Sequence, residues 1–251
     1  MTTESVGATF ASTFWGFRHR RSTGCGVLGG RHEKRFAAGE WCAEHSRVPP
    51  RWVQWATLRP TQGAVGYVEV EAKKSSYREL EPEKRRAFAE EQAITVVLGP
   101  SGALHVVDHH HWARAWFDMG FPEAPIRIRQ DFSALTDEQF VGTMSERGWL
   151  HAFDEHGSQF NVADLPRSVG SIPDDVFQSV AAFIRISGVF ENPGEFNAKF
   201  AWADFFRQRV ATRPETVEGF ALMLADAFAA SRLPEAKALP GYISAGESGD
   251  D

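Results

Sequence analysis

The chain has 251 residues, 43% hydrophobic and 24% charged, which is enough apolar material for a buried core and excludes a disordered chain. Its 27 Lys and Arg against 33 Asp and Glu leave a net charge of −6, the opposite sign to that of a protein that coats DNA. Two cysteines, Cys25 and Cys42, exclude a disulfide scaffold and a four-Cys zinc site. No apolar run approaches the roughly 18 residues of a membrane-spanning helix. No apolar stretch of signal-peptide length follows Arg18, Arg20 and Arg21, so a cytoplasmic protein is expected.

Residues 1–48 hold Gly24, Gly26, Gly29 and Gly30 and no sustained period, which predicts a weakly structured segment that contributes little to the fold. The glycines are not a P-loop, because the Gly-Lys-Ser/Thr ending is missing. Arg51 to Leu58 is rich in aromatic and β-branched residues and stops at Pro60, which predicts a strand and a turn. Val65 to Val70 is a short apolar stretch leading to Lys73 and Lys74, and residues 77–92 read as a solvated helix or loop. Ile94–Leu98 and Ala103–Val107, with Gly99-Pro100-Ser101-Gly102 between them, predict a β-hairpin. Asp108 ends its second strand and a helix starts at once, with Trp112, Trp116 and Met119 as its apolar stripe and Gly120 as its stop. Ile126 and Ile128 alternate with Arg127 and Arg129, the pattern of a half-buried strand.

From residue 131 the pattern turns helical. Thr136 with Gln139 forms a capping box, and Gly148 closes that helix. Trp149 to Phe160 reads as a small hairpin around Asp154-Glu155-His156-Gly157. Ser171 and Pro173 start a helix with Val176, Phe177, Val180, Ala181 and Ile184 on its buried face, ended by Gly188. Phe196, Phe200, Ala203 and Val210 form another stripe. Pro214 opens a last helix with Val217, Ala221, Leu224 and Phe228 on one face. The expected organisation is a small α/β (α+β) mixed-sheet domain over 49–130, a mainly helical extension over 131–243 packed on it, and a disordered tail over 244–251.

The chemistry concentrates at Asp108-His109-His110-His111, where a strand meets a helix. A helix N-terminus offers free N–H groups and the positive end of the helix dipole, a ready anion site. Imidazoles there can donate to phosphate oxygens or act as acid or base near neutral pH. Asp108 could hold Mg2+ or orient a histidine, and Arg114 shares a helix face with His110. Consecutive helix residues diverge by about 100°, so one ion does not readily take all three histidines. Two of them with Asp108 as a zinc site, or a solvated helix start without chemistry, are the competing readings.

Leu58-Arg59-Pro60-Thr61-Gln62, Val65-Gly66, Glu69-Val70, Lys73, Val97-Leu98-Gly99-Pro100 and Val107-Asp108-His109-His110-His111 together resemble the ParB-like nuclease family, part of the ParB/sulfiredoxin superfamily. The resemblance runs on through Asp174-Asp175, Ala181 and Phe200–Arg207 to Leu239–Tyr242, and so covers about residues 50–243. It implies a small mixed-sheet α/β fold that binds nucleotides. Branches of the superfamily hydrolyse CTP in DNA partition, reduce sulfinic acids with ATP, or phosphorylate free serine. The common pattern resembles Asp-Gly-His-His-Arg; Asp108, His110 and His111 match it, while His109 replaces the Gly and Trp112 the Arg. His110 stands where sulfiredoxins carry their reactive Cys, which argues against sulfinic acid chemistry.

The resemblance thus implies phosphoryl transfer or hydrolysis of a nucleotide or phosphoester. Asp108, His110 and His111 would be catalytic. Arg59, Thr61, Gln62, Lys73, His109 and Arg114 would bind phosphate or nucleotide. Mg2+ on Asp108 and a nucleoside triphosphate are the cofactors it suggests. A DNA-binding partition-type protein and a non-catalytic member that kept only the fold are the alternatives. Sequence-specific DNA is not an expected partner, since the charge is acidic and no recognition helix stands out.

Overall fold

Val96 and Val97, like Val106 and Val107, point to opposite faces of a sheet because side chains alternate along a strand. All four are fully buried, so the sheet must be covered on both sides. The computed structural model, which describes residues 49–192, 198–213 and 215–244, shows this arrangement. Its strands are β1 (Arg51–Val53), β2 (Leu58–Arg59), β3 (Ile94–Leu98), β4 (Leu104–Asp108) and β5 (Ala124–Asp131). They pair in the order β1-β5-β3-β4-β2. The sheet is mixed: β1/β5 and β3/β4 are antiparallel, β3/β5 and β2/β4 parallel. The described helices are α1 (Tyr67–Arg78), α2 (Pro82–Glu91), α3 (His110–Asp118), α4 (Asp137–Glu146), α5 (Val176–Ile186), α6 (Ala198–Arg207) and α7 (Val217–Ala230). None is long and apolar enough to cross a membrane.

One face of the sheet carries Leu58, Ile94, Val96, Val106 and Ile126 against Val70 of α1, Ala89 of α2 and Trp112, Ala113 and Trp116 of α3. The other face carries Val97 and Val107 against Phe132, Phe140, Met144 and Trp149. A third apolar cluster joins α5, α6 and α7 through Val180, Ile184, Trp202, Phe206, Met223 and Ala227.

The hairpin β3–β4, the strand β5, the capping box at Thr136 and the helix stops at Gly120, Gly148 and Gly188 all stand where the sequence puts them. The turn at Asp154–Gly157 forms too, closed by one Phe153–Gln159 bridge. Three expectations need correction. The run Arg51–Leu58 is two strands, because Thr57 donates from both N (3.0 Å) and Oγ1 (2.7 Å) to the Gln54 carbonyl and closes a 3-10 turn. That turn carries the chain between opposite edges of the sheet. Val65–Val70 opens helix α1; its cap is Asp174 Oδ1, which accepts from the Tyr67 N–H at 2.6 Å across 107 residues, so no local signal marks it. On α7 the buried stripe is Gly219, Met223, Ala227 and Ala230, while Val217 is 84% exposed. Small residues let this helix approach its neighbours closely, and its larger apolar side chains flank the contact. Residues 1–48 with both cysteines, Phe196, Pro214 and residues 245–251 lie outside the described residues.

Candidate functional site

The site is built around the segment Thr61–Gly66, which follows Pro60 and is buried along its whole length. Pro60 cannot extend the sheet ladder, so the chain leaves β2 here and seeks other partners. It finds them far along the sequence. His151 N–H donates to Thr61 O (2.8 Å), Gly63 N–H to His151 O (2.9 Å), Val65 N–H to Pro173 O (3.0 Å) and Asp175 N–H to Val65 O (2.9 Å). Gln178 Nε2 donates to Ala64 O (3.0 Å). Gly66 lies so close to α5 that a Cβ there would stand 2.5 Å from the Ser179 backbone nitrogen. Any side chain at this position would push α1 off α5.

The two ends of this segment are held by adjacent histidines. The N–H of Thr61 points at His110 Nε2 (3.3 Å) and the N–H of Gly66 at His111 Nε2 (3.1 Å). An N–H only donates, so both Nε2 atoms are acceptors and each neutral ring carries its proton on Nδ1. The roughly 100° between successive helix positions lets neighbouring rings reach opposite ends of one loop. Burial pushes His110 down to about 3, against the pull of Asp108. Burial likewise holds His111 well below the ordinary histidine value, against the pull of Glu69. His110 is 2% exposed, so the helix start is a buried, proton-accepting one, and the competing reading of a solvated start does not hold for this residue. Its Nδ1 has no hydrogen-bond partner among the described residues.

His111 also belongs to a charged cluster. Glu69 of α1 places Oε2 against Lys199 Nζ (2.5 Å) and His111 Nε2 (3.2 Å), and Oε1 against Lys73 Nζ (3.4 Å). Lys199 Nζ also lies 3.1 Å from His111 Nε2. Burial works against the charge of Glu69, but the ammonium groups of Lys199 and Lys73 outweigh it and hold the carboxyl well below its ordinary range. Burial lowers Lys199, with Glu69 opposing. Lys73 sits 4.8 Å over the ring of Trp112, the residue found in the place of the superfamily Arg, and Trp112 stacks on Trp116 at 4.6 Å. Beside the cluster, His151 stacks on Phe200 with ring centroids 3.5 Å apart. Burial lowers His151 to about 4, helped by Arg207. Arg207 in turn pairs with Asp175 at 2.6 Å.

The structure therefore gathers Thr61, Gln62, Lys73, His110 and His111 of the sequence-expected set. It employs the others elsewhere. Arg114 donates to Tyr67 Oη (2.6 Å), Ile172 O (2.7 Å) and Asp118 Oδ1 (2.8 Å), bracing α3 against α1. Arg59 is exposed and bonds the carbonyls of Ala56 and Leu58. Asp108 is exposed and its Oδ1 accepts from the His109 N–H (2.7 Å). Asp108 alone could hold Mg2+ only together with substrate phosphate and water oxygens, since among the described residues no three His, Cys, Asp or Glu side chains gather to hold a metal.

Lys199 and Glu69 were not picked out from the sequence as site residues, though a signal existed. Lys199 precedes Trp202, Ala203 and Phe206 at i+3, i+4 and i+7, so a lysine falls on the buried stripe of α6. Glu69 and Lys73 likewise share the inner face of α1 with Tyr77. A charge on an apolar stripe needs a partner, and that demand is the signal.

His109 has φ of 67°, the left-handed region, and is the one non-glycine residue so placed among those described. This accounts for the glycine of the superfamily pattern. The His109 Nδ1–H donates to Ala93 O at 2.8 Å and offsets the strain. His109→Gly is expected to stay within about 1 kcal/mol of the parent in urea unfolding, since relief of about 1–2 kcal/mol of strain balances one lost bond. His109→Val deepens the strain, because a β-branched residue is a true outlier at positive φ, and also loses the bond, so it should cost about 2–3 kcal/mol. Equal losses for the two would show that the backbone conformation carries no strain.

The comparisons with known proteins agree with this architecture. The family described as putative ParB-like nuclease matches residues 52–208. The crystal structure of protein Atu1540 from Agrobacterium tumefaciens is 30% identical with a TM-score of 0.69, and the match covers 78% of this chain and 98% of that one. A search of curated proteins finds no match. With more than half its length matched and the whole site inside the matched span, this chain belongs to the ParB-like nuclease family.

Proposed function

We propose that the protein binds a nucleotide or related phosphoester where α1 and α3 begin, and hydrolyses it or transfers its phosphate. The observation that carries this reading is the convergence of two ammonium groups, Lys73 and Lys199, and two neutral histidines on one half-buried point beside two helix N-termini. Such a point favours an anion, by charge and by helix dipole. In this reading His111 accepts or returns a proton during the reaction, and His110, through Thr61, keeps the loop in shape. Lys73 and Lys199 neutralise charge that builds on the phosphate oxygens in the transition state. Membership of a family described as a nuclease adds support at the level of the fold and no more, since function lives in the site.

The burial of His110 favours one rival specifically: a member that keeps the histidines only as struts for the loop. A thermal-shift panel of ATP, ADP, CTP, GTP and a short single-stranded oligonucleotide, each with and without Mg2+, separates the two. A ligand at 100 times its Kd stabilises by about 2.7 kcal/mol. For a chain of this size that is a rise in Tm of roughly 5–11 °C. The rise should vanish in Lys73→Ala. No rise with any member of the panel would leave the strut reading standing.

A further inference from the structure

The three atoms that meet at His111 do not balance without Lys199. Gly66 donates to His111 Nε2, which makes that nitrogen a lone-pair acceptor. Glu69 Oε2, also an acceptor, lies 3.2 Å away. Two acceptors in contact repel, so this pair is no ion pair. What holds them together is the ammonium of Lys199, which donates to both, at 2.5 Å and 3.1 Å. Lys199 comes from α6, is separated from Glu69 by 130 residues, and at 21% side-chain exposure is the most open member of the cluster. Lys73 meets Glu69 at the other oxygen, Oε1, at 3.4 Å.

We infer that Lys199 is a positioning residue that keeps His111 a proton acceptor, and that an anion which draws the Lys199 ammonium to itself drives a proton onto the His111–Glu69 pair. Being the most exposed cation of the cluster, Lys199 is the one an incoming phosphate meets. Once its ammonium turns to the anion, Glu69 and His111 face each other unbridged. The remedy is a proton on His111 Nε2, which then donates to Glu69 while the Gly66 N–H gives up its bond to that atom. The proton comes from solvent and returns when the anion leaves, so no bond to phosphorus is involved. The charged and titratable groups around the ring are Glu69 and Lys73 on α1, Lys199 on α6, Arg185 on α5 acting on Lys199, and His110 on its own helix. Lys199 is the group that donates to both His111 Nε2 and Glu69 Oε2. The anion part of the inference rests on the phosphoester reading above, whereas the bridge itself does not.

The test is imidazole NMR on the full chain labelled at histidine, with His111 assigned by its loss in His111→Gln. In the unaltered protein His111 should remain an unprotonated Nε2 acceptor through the ordinary histidine titration range. In Lys199→Met its pKa should move up into or above that range. Lys199→Leu, which also carries no donor, should move it the same way should the methionine variant not fold. In Glu69→Gln/Lys199→Met the amide can donate to Nε2, and the upward shift should disappear. A His111 that titrates normally in the parent, or stays unmoved in the folded lysine variant, overturns the inference. Calorimetry with inorganic pyrophosphate in buffers of different ionisation enthalpy then tests the coupling. Binding with uptake of up to one proton supports it, and binding with no uptake refutes it. Absence of binding beside a shifted His111 in Lys199→Met would instead remove the phosphoester reading and leave the bridge in place.

Discussion

Glu69→Ala is expected to destabilise the protein by about 3–5 kcal/mol at pH 7, the usual cost of removing one partner from a buried ion pair. The loss comes less from missing attraction than from what stays behind. Lys199 keeps a charge in a nearly dry site, and His111 loses one neighbour of its bridge. The main-chain N–H of Glu69 remains bonded to Ser179 Oγ, so the helix itself has no reason to unwind. Urea unfolding of Glu69→Leu, Lys199→Met and Glu69→Leu/Lys199→Met closes a cycle. The double variant should recover most of the loss, because an apolar pair carries no desolvation cost. Losses that simply add would show that the two groups do not depend on each other. The pH dependence has a definite sign. The folded carboxyl lies below its ordinary value, so its contribution is complete above about pH 4.3 and is lost as the pH falls below that.

A second large effect is acid instability that begins in the ordinary titration range of histidine. His110, His111 and His151 are buried and neutral, with folded pKa values below the ordinary 6.5. The unfolded chain therefore binds protons first as the pH falls. Stability from these groups is complete above about pH 6.5 and drops below it, by about 1.4 kcal/mol per pH unit for each histidine until its folded pKa is reached. For His110, with a folded value of about 3, the fall from pH 6.5 to 4.5 spans two units and costs about 2.7 kcal/mol. His110→Gln places an amide oxygen where Nε2 accepts from Thr61 and does not titrate. Its stability should fall less steeply between pH 6.5 and 4.5 than the parent's. An equally steep profile would mean that His110 is protonated in the native state.

The β-hairpin, the strand after it and the helix stops were legible because their signals are local. Two valines in succession report both faces of a strand, and a glycine after an apolar stripe reports its end. What stayed hidden is held by contacts between distant segments. Helix α1 is capped by Asp174, and its start is shaped by Ser179, neither of which any window around Tyr67 contains. The site shows the same division. Asp108-His109-His110-His111 marked the right place, because adjacent polar residues at a strand end are conspicuous. Their arrangement was not readable: His109 and Asp108 serve the turn, while His110 and His111 face inward to a loop whose partners come from residues 151–199. Arg114 shares a helix face with His110 in pattern, but the Ile172 carbonyl and the Tyr67 hydroxyl claim it first.

The clamping of Thr61–Gly66 by His151, Pro173 and Asp175 also sets a timetable. During synthesis the last strand of the sheet is complete at Asp131, yet the loop partners and Lys199 arrive up to roughly 70 residues later. At about 5–20 residues per second that is a wait of several seconds. Until then Glu69 lacks Lys199, and the start of α1 lacks its contacts with Ser179 of α5. Such long-range closure raises the contact order and slows the final folding step. The nascent chain therefore passes through a stage with its sheet assembled and its chemistry unformed. A ribosome-bound chain halted near residue 150 would hold every histidine of the Asp108–His111 motif but lack His151, Pro173, Asp175 and Lys199, which close the loop and the cluster around them.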